Sequence, residues 1–255
     1  MTTENYNERA EELKNKWKAQ KDSAQIYTPG ENAQSNNFIF DGIADPNEWY
    51  KQDIRPLFIL KEAYNIELNE DEWNEVTWFL SEKSQEEKIK NKTWQTLCRW
   101  SSYIFSQNYD AETIWGNEYL KKIALINIKK YGGQKTSNDS DLKKHAEKHA
   151  DLIVEQIELI KPTIIICGYT GWLMDIVWQK EFGRIIRENK RNGRVYDIDI
   201  PEYKKITLID FWHPASRNNH QEDFTADIDA AMGRLPSHIR SNEEPQNEGE
   251  LNECN

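Results

Sequence analysis

Four short apolar runs, separated by segments of helical periodicity, constrain the fold of this chain more than any other feature of its sequence. The runs are residues 57–60, 123–128, 163–167 and 206–211, and each has the composition of a buried strand. Helical patterns lie near residues 70–82, 87–106, 139–160, 168–178 and 223–234. Strands that alternate with helices predict a parallel sheet with helices on both faces and right-handed crossovers. The sequence therefore predicts a three-layer α/β/α fold around a central, mostly parallel four-stranded sheet.

The segments around this pattern predict how the chain is divided. Residues 4–20 carry a helical stripe of Ala10, Leu13 and Trp17, so residues 1–54 are expected to form a helical extension packed on the core. Residues 55–238 hold all four apolar runs and are expected to form one α/β domain, with an edge strand at residues 194–200. The last fifteen residues contain five glutamates and no basic residue, which predicts an acidic, disordered tail over residues 239–255.

The net charge of −11 limits what the chain can bind over its whole surface. Proteins that bind nucleic acids along a broad face are usually basic, so any contact with a polyanion is expected to be local. Five cations fall within residues 184–194, and a second basic group consists of Lys121, Lys122, Lys129, Lys130 and Lys135. Both groups are equally compatible with ordinary solvated faces.

Cysteine and histidine spacing predicts neither a metal nor a cofactor. Cys98, Cys167 and Cys254 are too widely spaced for a disulfide framework or a cysteine-rich metal cluster. His145 and His149 lie four residues apart, but the glutamate between them is one place away from its position in zinc proteases. No apolar run approaches the ~20 residues of a membrane span, and the first thirty residues lack an apolar signal core. The sequence therefore predicts a cytoplasmic protein with no membrane partner.

Candidate site residues lie at or near the end of each of the four apolar runs. They are Lys61-Glu62-Ala63-Tyr64-Asn65, Asn127, Gly168-Tyr169-Thr170 and His213. Ligands of open α/β sheets bind outside the carboxyl ends of the strands, so we expect these residues to surround one site. An amide suits reading the edge of a nucleobase, a carboxylate can orient water or stabilise a cationic sugar, and an imidazole can stabilise an oxygen that gains negative charge.

The order of these motifs resembles the uracil-DNA glycosylase superfamily, in particular the branch whose first motif is Gly-Glu-Ala-Pro-Gly. Glu62-Ala63 match the centre of that motif, and Asn127 matches an asparagine at the end of the family's next strand. The family's "Leu-x-Lys-Pro" turn, apolar strand and glycine correspond to residues 159–168. Its final His-Pro-Ser loop is matched by His213-Pro214-Ala215-Ser216. The likeness covers roughly residues 55–217.

The resemblance implies a uracil-DNA glycosylase-like fold and a monofunctional enzyme that flips a nucleotide out of DNA and hydrolyses its N-glycosidic bond.

 The enzyme is expected to act as a monomer on double-stranded DNA with a flipped modified base and to leave an abasic site. Glu62 would position water or stabilise the sugar cation, Asn127 would read the base, and His213 would stabilise the departing base. The base site is expected to include Ala63, Tyr64, Asn65, Gly168 and Tyr169. Arg217, at the family's wedge position, is expected to contact DNA together with Ser216, Lys129 and Lys130.

Departures from the family pattern leave the substrate base open. Lys61, Tyr64 and Asn65 replace small residues of the first motif, and three scattered cysteines cannot hold the iron–sulfur cluster of that branch. A modified base is one expectation, such as a hypermodified phage cytosine like glucosylated hydroxymethylcytosine removed in antiphage defence. Uracil in base-excision repair is another, and a non-catalytic base-binding module is a third. A hydrolase that uses Ser216 lacks the glycine-flanked nucleophile elbow.

Overall fold

The computed structural model describes residues 3–22, 38–64, 72–73, 91–109, 118–133, 137–184, 189–192, 194–200, 206–217 and 220–233. Seven helices lie in these ranges: α1 (Thr3–Asp22), α2 (Pro46–Trp49), α3 (Lys92–Ser106), α4 (Asp139–Lys148), α5 (Ala150–Ile160), α6 (Gly171–Phe182) and α7 (Gln221–Ala231). The eight described strands are β1 (Phe38–Ile39), β2 (Pro56–Tyr64), β3 (Glu72–Trp73), β4 (Ala124–Gly133), β5 (Ile164–Gly168), β6 (Asn189–Asn192), β7 (Val195–Ile198) and β8 (Ile206–Phe211). A 3₁₀ helix, Glu118–Lys122, precedes β4.

The four predicted strands form the centre of the sheet and are parallel to one another. The strand order is β3-β1-β4-β2-β5-β8-β7-β6. One row of paired residues crosses the centre, because Leu57 pairs with Ala124 and with Ile165, and Ile165 pairs with Leu208. β1 and β7 are antiparallel to their central neighbours. The expectation of an α/β fold with a mostly parallel sheet is confirmed, and the described sheet is larger than the four strands expected.

Two hydrophobic clusters lie on opposite faces of the sheet, as the alternation of side chains in a strand requires. In β2, Leu57 and Ile59 belong to one cluster, and Phe58 and Leu60 belong to the other. Helices α1, α4, α5 and α6 contribute to the first cluster, and α3 and α7 to the second. Helices therefore cover both faces of the sheet, and the polar strand ends are left to form a site at its edge.

The described part of residues 1–54 shares the first cluster with the α/β core. Leu13 and Trp17 of α1 are buried in it. The Tyr6 hydroxyl accepts a hydrogen bond from the backbone N–H of Ile43 at 3.1 Å, and Ile43 forms an antiparallel bridge with Ala124 of β4. The N-terminal segment thus adds both a helix and a strand-like edge to the core. Residues 239–255, expected to form a disordered tail, lie outside the described residues.

Four elements differ from the sequence-based expectation. β4 continues through Lys129 and Lys130, which were expected to end it, because both lysines have carboxylate partners in the fold. The helix expected over residues 139–160 is divided at His149 into α4 and α5. Residues 194–200 were expected to form an edge strand, but β6 pairs with the outer side of β7. Glu72 and Trp73 form a short strand where a helix was expected, and the rest of residues 70–82 lie outside the described residues.

Candidate active site at the carboxyl edge of the sheet

The carboxyl ends of β2, β5 and β8 lie side by side and form what we call the carboxyl edge. A Cβ atom on Gly168 would lie 2.6 Å from Leu60 Cδ2 and 3.1 Å from Pro214 Cδ. The missing side chain therefore lets the end of β5 contact both β2 and the His-Pro loop. The Thr170 hydroxyl donates a hydrogen bond to the Ile59 carbonyl at 2.7 Å, which fixes the same strand ends.

Glu62 lies at this edge with its side chain almost fully buried. The side chain is 5% exposed, and its carboxylate lies 3.0 Å from the Lys129 ammonium. Lys129 also donates a hydrogen bond to Asp141 at the start of α4, at 2.8 Å. One cation between two carboxylates leaves this group with a net negative charge. A negative charge of this kind can stabilise a positively charged group that is brought close to it.

Lys129 remains charged in this environment. Burial lowers the pKa of Lys129, but the hydrogen bonds and charges of Asp141 and Glu62 outweigh it, and the pKa lies above its ordinary value. Removing one partner of a buried ion pair leaves the other charge uncompensated, which typically costs about 3–5 kcal/mol. The position of the Glu62 carboxylate is therefore tied to that of Lys129.

His213 follows β8 at the carboxyl edge and is held as a neutral imidazole. Burial, with a further contribution from the positive charge of Lys61, lowers the pKa of His213 to about 4. Its Nδ1 accepts a hydrogen bond from the backbone N–H of Ala215 at 3.1 Å. Because Nδ1 is the acceptor, the ring hydrogen of the neutral form is on Nε2. His213 thus presents one neutral N–H donor at neutral pH.

Tyr169 occupies the turn that follows β5 and is held in an unusual backbone conformation. Its φ of 60° lies in the left-handed region, which is uncommon for a residue other than glycine. The Tyr169 backbone N–H donates to the Phe211 carbonyl at 2.7 Å. The Lys61 ammonium lies 4.5 Å from the centre of the Tyr169 ring and 3.7 Å from the Asp139 carboxylate.

A network of side chains orders the loop between β8 and α7. The rings of Trp212 and His220 are stacked, with centroids 4.8 Å apart and planes 12° apart. His220 Nε2 lies 3.3 Å from the Ser216 hydroxyl, and Nδ1 lies 3.5 Å from Asp223. The Lys92 ammonium donates to the Ser216 carbonyl, and Arg217 is exposed beside it. Sequence reasoning did not find this network, although Trp212 directly precedes His213.

Asn127 does not project from this edge. Its side chain is 1% exposed, and its amide donates to Asp41 Oδ2 at 2.8 Å. The Asn127 backbone N–H donates to the same oxygen at 3.1 Å. Asp41 precedes Asn127 by 86 residues, so the sequence around Asn127 gives no sign of this partner.

The structure also buries the two lysines that were expected to contact DNA. Lys130 is 0% exposed, with its ammonium 5.5 Å from the centre of a Trp17 ring and 3.9 Å from Asp41. Lys129 is buried between Glu62 and Asp141. Contact of either lysine with a phosphate does not fit this placement, because Lys130 is enclosed beside Asp41 and the Lys129 ammonium is held between Glu62 and Asp141.

The remaining expected site residues are placed as follows. Ala63 is buried at the end of β2, and the side chain of Tyr64 and all of Asn65 lie outside the described residues. In the described ranges, no group of three or more His, Cys, Asp and Glu residues is arranged to hold a metal ion. None of the described helices combines the length and apolar character needed to cross a bilayer. No protein-family model matches the chain, and no curated protein sequence matches it either.

Proposed function

We propose that this protein is a DNA glycosylase of the uracil-DNA glycosylase superfamily, which flips a modified base out of DNA and hydrolyses its N-glycosidic bond. The observation that carries the proposal is the neutral His213, whose Nε2–H donor shares one sheet edge with the buried Glu62 carboxylate. A donor for the departing base and a negative charge for the sugar are the two groups that this reaction needs.

The spacing of the strands separates the two groups by a distance suited to one nucleotide. β2 and β8 lie on either side of β5, and two strand spacings amount to about 10 Å. A duplex cannot enter such a gap, so a nucleotide must leave the base stack before it reaches both groups. Flipping costs a few kcal/mol, which contacts with the extruded base offset.

In the proposed reaction, the bond between C1′ and the base nitrogen breaks and its electron pair leaves with the base. Glu62 stabilises the positive charge that develops on the sugar and orients the water that attacks C1′. The water contributes its hydroxyl to the sugar, and its remaining proton neutralises the base anion that is released. His213 Nε2–H donates a hydrogen bond to the base oxygen that gains negative charge, and it does so without being charged itself.

The proposed substrate is a modified base, for example a hypermodified cytosine of phage DNA removed in antiphage defence. The placement of Asn127 supports a base other than uracil, because its amide donates to Asp41 in the interior. Uracil excision in base-excision repair remains the alternative substrate assignment. A non-catalytic module that only binds a modified base is the alternative without hydrolysis.

The test is an incubation of the protein with DNAs that contain uracil, hypoxanthine, hydroxymethylcytosine or glucosylated hydroxymethylcytosine, followed by measurement of abasic sites. We expect abasic sites in at least one of these DNAs. His213→Ala should lower the rate by about 10²–10³-fold, as loss of a donor to a developing oxyanion does. Lys16→Gln is the control, since Lys16 forms an exposed ion pair with Glu155 on α5. Binding of a modified base without any abasic product would support the non-catalytic module.

A second candidate, an ester or amide hydrolase, has one observation in its favour. Ser216, His220 and Asp223 follow one another at 3.3 and 3.5 Å, in the arrangement of a nucleophile, a base and an orienting carboxylate. Asp223, however, is also bound by Arg194 at 3.1 Å, and that hydrogen bond lowers the pKa of Asp223. Hydrolysis of p-nitrophenyl acetate that depends on Ser216 and not on Glu62 would favour this candidate.

A further inference from the structure

Two exposed aromatic side chains mark the carboxyl edge as a binding surface. Among the residues that the structure describes, Tyr169 and Trp212 are the large hydrophobic side chains with substantial exposure, at 47% and 41%. Exposed aromatic groups that cluster at one place commonly mark a site of interaction.

The two rings belong to neighbouring strand ends. Gly168 pairs with Phe211 in the register of β5 and β8, so Tyr169 and Trp212 each follow one member of that pair. The hydrogen bond from the Tyr169 N–H to the Phe211 carbonyl joins the two backbones at this point. His213 comes next in the chain, so both rings lie beside the proposed catalytic donor.

Each ring is supported on one side by another side chain. The Lys61 ammonium lies over the Tyr169 ring, and His220 is stacked on Trp212. His220 is itself held by Ser216. The backbone of Tyr169 also adopts a left-handed conformation, and strain of this kind tends to persist at functional sites. A ring that is already ordered loses little conformational freedom when a ligand stacks on it.

Single-stranded nucleic acid has the chemistry that fits this surface. Proteins that bind single strands combine local cations with aromatic rings on which bases stack. Lys61 lies over one ring, and Lys92 and the exposed Arg217 lie at the loop that carries the other. The net charge of −11 limits the affinity that phosphate contacts supply, so stacking must carry more of the binding free energy. Paired bases in a duplex do not offer their faces to such rings.

We propose that Tyr169 and Trp212 form a stacking surface for two unpaired nucleobases, and that the protein binds DNA as a single strand next to the nucleotide that enters the site. The proposal rests on the proposed function only in assuming that this nucleotide enters the site and is hydrolysed there. Binding itself needs no hydrolysis and no modified base.

Fluorescence anisotropy with three labelled oligonucleotides tests the stacking surface on the full chain. The first is a thymine strand of about 16 nucleotides, the upper site size of one single-strand-binding fold. The second has the same length and phosphates but carries abasic residues, and the third is the thymine strand paired with its complement. We expect the thymine strand to bind at least about tenfold more tightly than the other two, because stacking contributes strongly for each base.

The variants assign this difference to the two rings. Tyr169→Ala and Trp212→Ala should each weaken binding of the thymine strand by about five- to a hundredfold, whereas Tyr169→Phe and Trp212→Phe keep a ring and should retain most of the affinity. Tyr119→Ala is a matched control: its ring lies 5.4 Å from the Lys122 ammonium, before β4 and therefore at the opposite edge of the sheet. It should bind like the unaltered protein, and thermal unfolding of each variant checks that it is folded.

Equal affinity for the thymine and abasic strands, or unchanged affinity in both alanine variants, overturns the stacking surface. Absence of binding to the thymine strand overturns it as well. Base-dependent binding without abasic product in any substrate DNA rejects the proposed glycosylase and keeps the surface. Abasic product from a protein whose alanine variants bind normally rejects the surface and keeps the glycosylase.

Discussion

At the scale of single residues, the tautomer of His213 decides what this side chain can contribute. The Ala215 N–H is directed at Nδ1, so the ring can offer a hydrogen only from Nε2. A protonated Nδ1 would place two N–H groups against each other. Burial and the Lys61 charge act in the same direction and lower the pKa of His213 to about 4.

The rate of base release should therefore not change near pH 6.5, where a histidine with an ordinary pKa becomes protonated. We expect the single-turnover rate to stay level from pH 8 to about pH 5 and to fall as the pH approaches 4, where His213 becomes protonated. Circular dichroism over the same range monitors the fold. A rate that changes with an inflection near pH 6.5, the ordinary pKa of histidine, would contradict this account of His213.

Gly168 offers a second test at the residue scale. In Gly168→Ala, the new methyl group would lie 2.6 Å from Leu60 and 3.1 Å from Pro214, so the His-Pro loop must move away from β2. We expect the free energy of unfolding to fall by about 1–3 kcal/mol. We also expect the rate of base release by the folded variant to fall. Adding Leu60→Val removes the nearest atom and should recover part of both. Normal activity in Gly168→Ala would show that the spacing of these strand ends does not matter.

At the scale of elements, α1 acts as part of the core. Trp17 is fully buried in the first cluster, and its ring lies 5.0 Å from the ring centroid of His149 and 5.5 Å from the Lys130 ammonium. Trp17→Ala should lower the free energy of unfolding by about 3–5 kcal/mol, measured by urea denaturation. Loss of a small first transition, with the main transition unchanged, would instead mean that α1 unfolds independently of the sheet.

The junction of α4 and α5 makes stability depend on pH. His145 lies near Asp141, Lys129, Lys148 and His149, and the His149 ring contacts Trp17 and bonds Gln20 at 2.8 Å. Burial lowers the pKa of both histidines to about 4. The unfolded chain, with an ordinary pKa near 6.5, therefore takes up more protons between pH 6.5 and 4, and stability decreases as the pH falls through this window.

Each histidine should contribute a slope of about 1.4 kcal/mol per pH unit. Urea denaturation at several values between pH 7.5 and 5 measures the slope, and full stability is expected above pH 6.5. His149→Gln should reduce the slope by about one site's contribution. A free energy of unfolding that does not change between pH 7 and pH 5 would contradict the burial of neutral histidines at this junction.

The elements also show how much of the fold can be predicted from the sequence. All four central strands could be predicted, because their apolar runs are local and continuous. The full length of β4 could not, since Lys129 and Lys130 depend on Glu62, Asp141 and Asp41 from other parts of the chain. The division at His149 could not be predicted either, because neither proline nor glycine marks it, and the partners of the His149 ring lie on the distant helix α1.

The residues of the candidate site also fall into those that could be placed from the sequence and those that could not. Glu62, Gly168 and His213 could be placed at one edge because each follows a predicted strand. The placement of Asn127 depends on a distant Asp41, and the stacking of Trp212 on His220 depends on how the loop folds back. The positions of these side chains could not be predicted because they depend on contacts between segments that are far apart in sequence.

At the scale of the whole molecule, the two faces of the sheet form the hydrophobic core, and its carboxyl edge carries the candidate site. Its two faces are covered by helices and hold the two hydrophobic clusters. Its carboxyl edge gathers a buried carboxylate, a neutral imidazole and two exposed rings. The acidic chain as a whole is poorly suited to broad contact with DNA, so we expect the proposed DNA contact to be confined to this edge.

The central claim, that Glu62 and His213 act on one nucleotide, is tested most directly by single-turnover product analysis. A DNA that carries the base identified by the substrate panel is incubated with the protein, and mass spectrometry follows the products. The account predicts a free base and an abasic strand with an intact phosphodiester backbone, with the rate reduced at least about 100-fold in Glu62→Gln and unchanged in Lys16→Gln. Base release that is as fast in Glu62→Gln as in the unaltered protein, or cleavage of the backbone without base release, would contradict it.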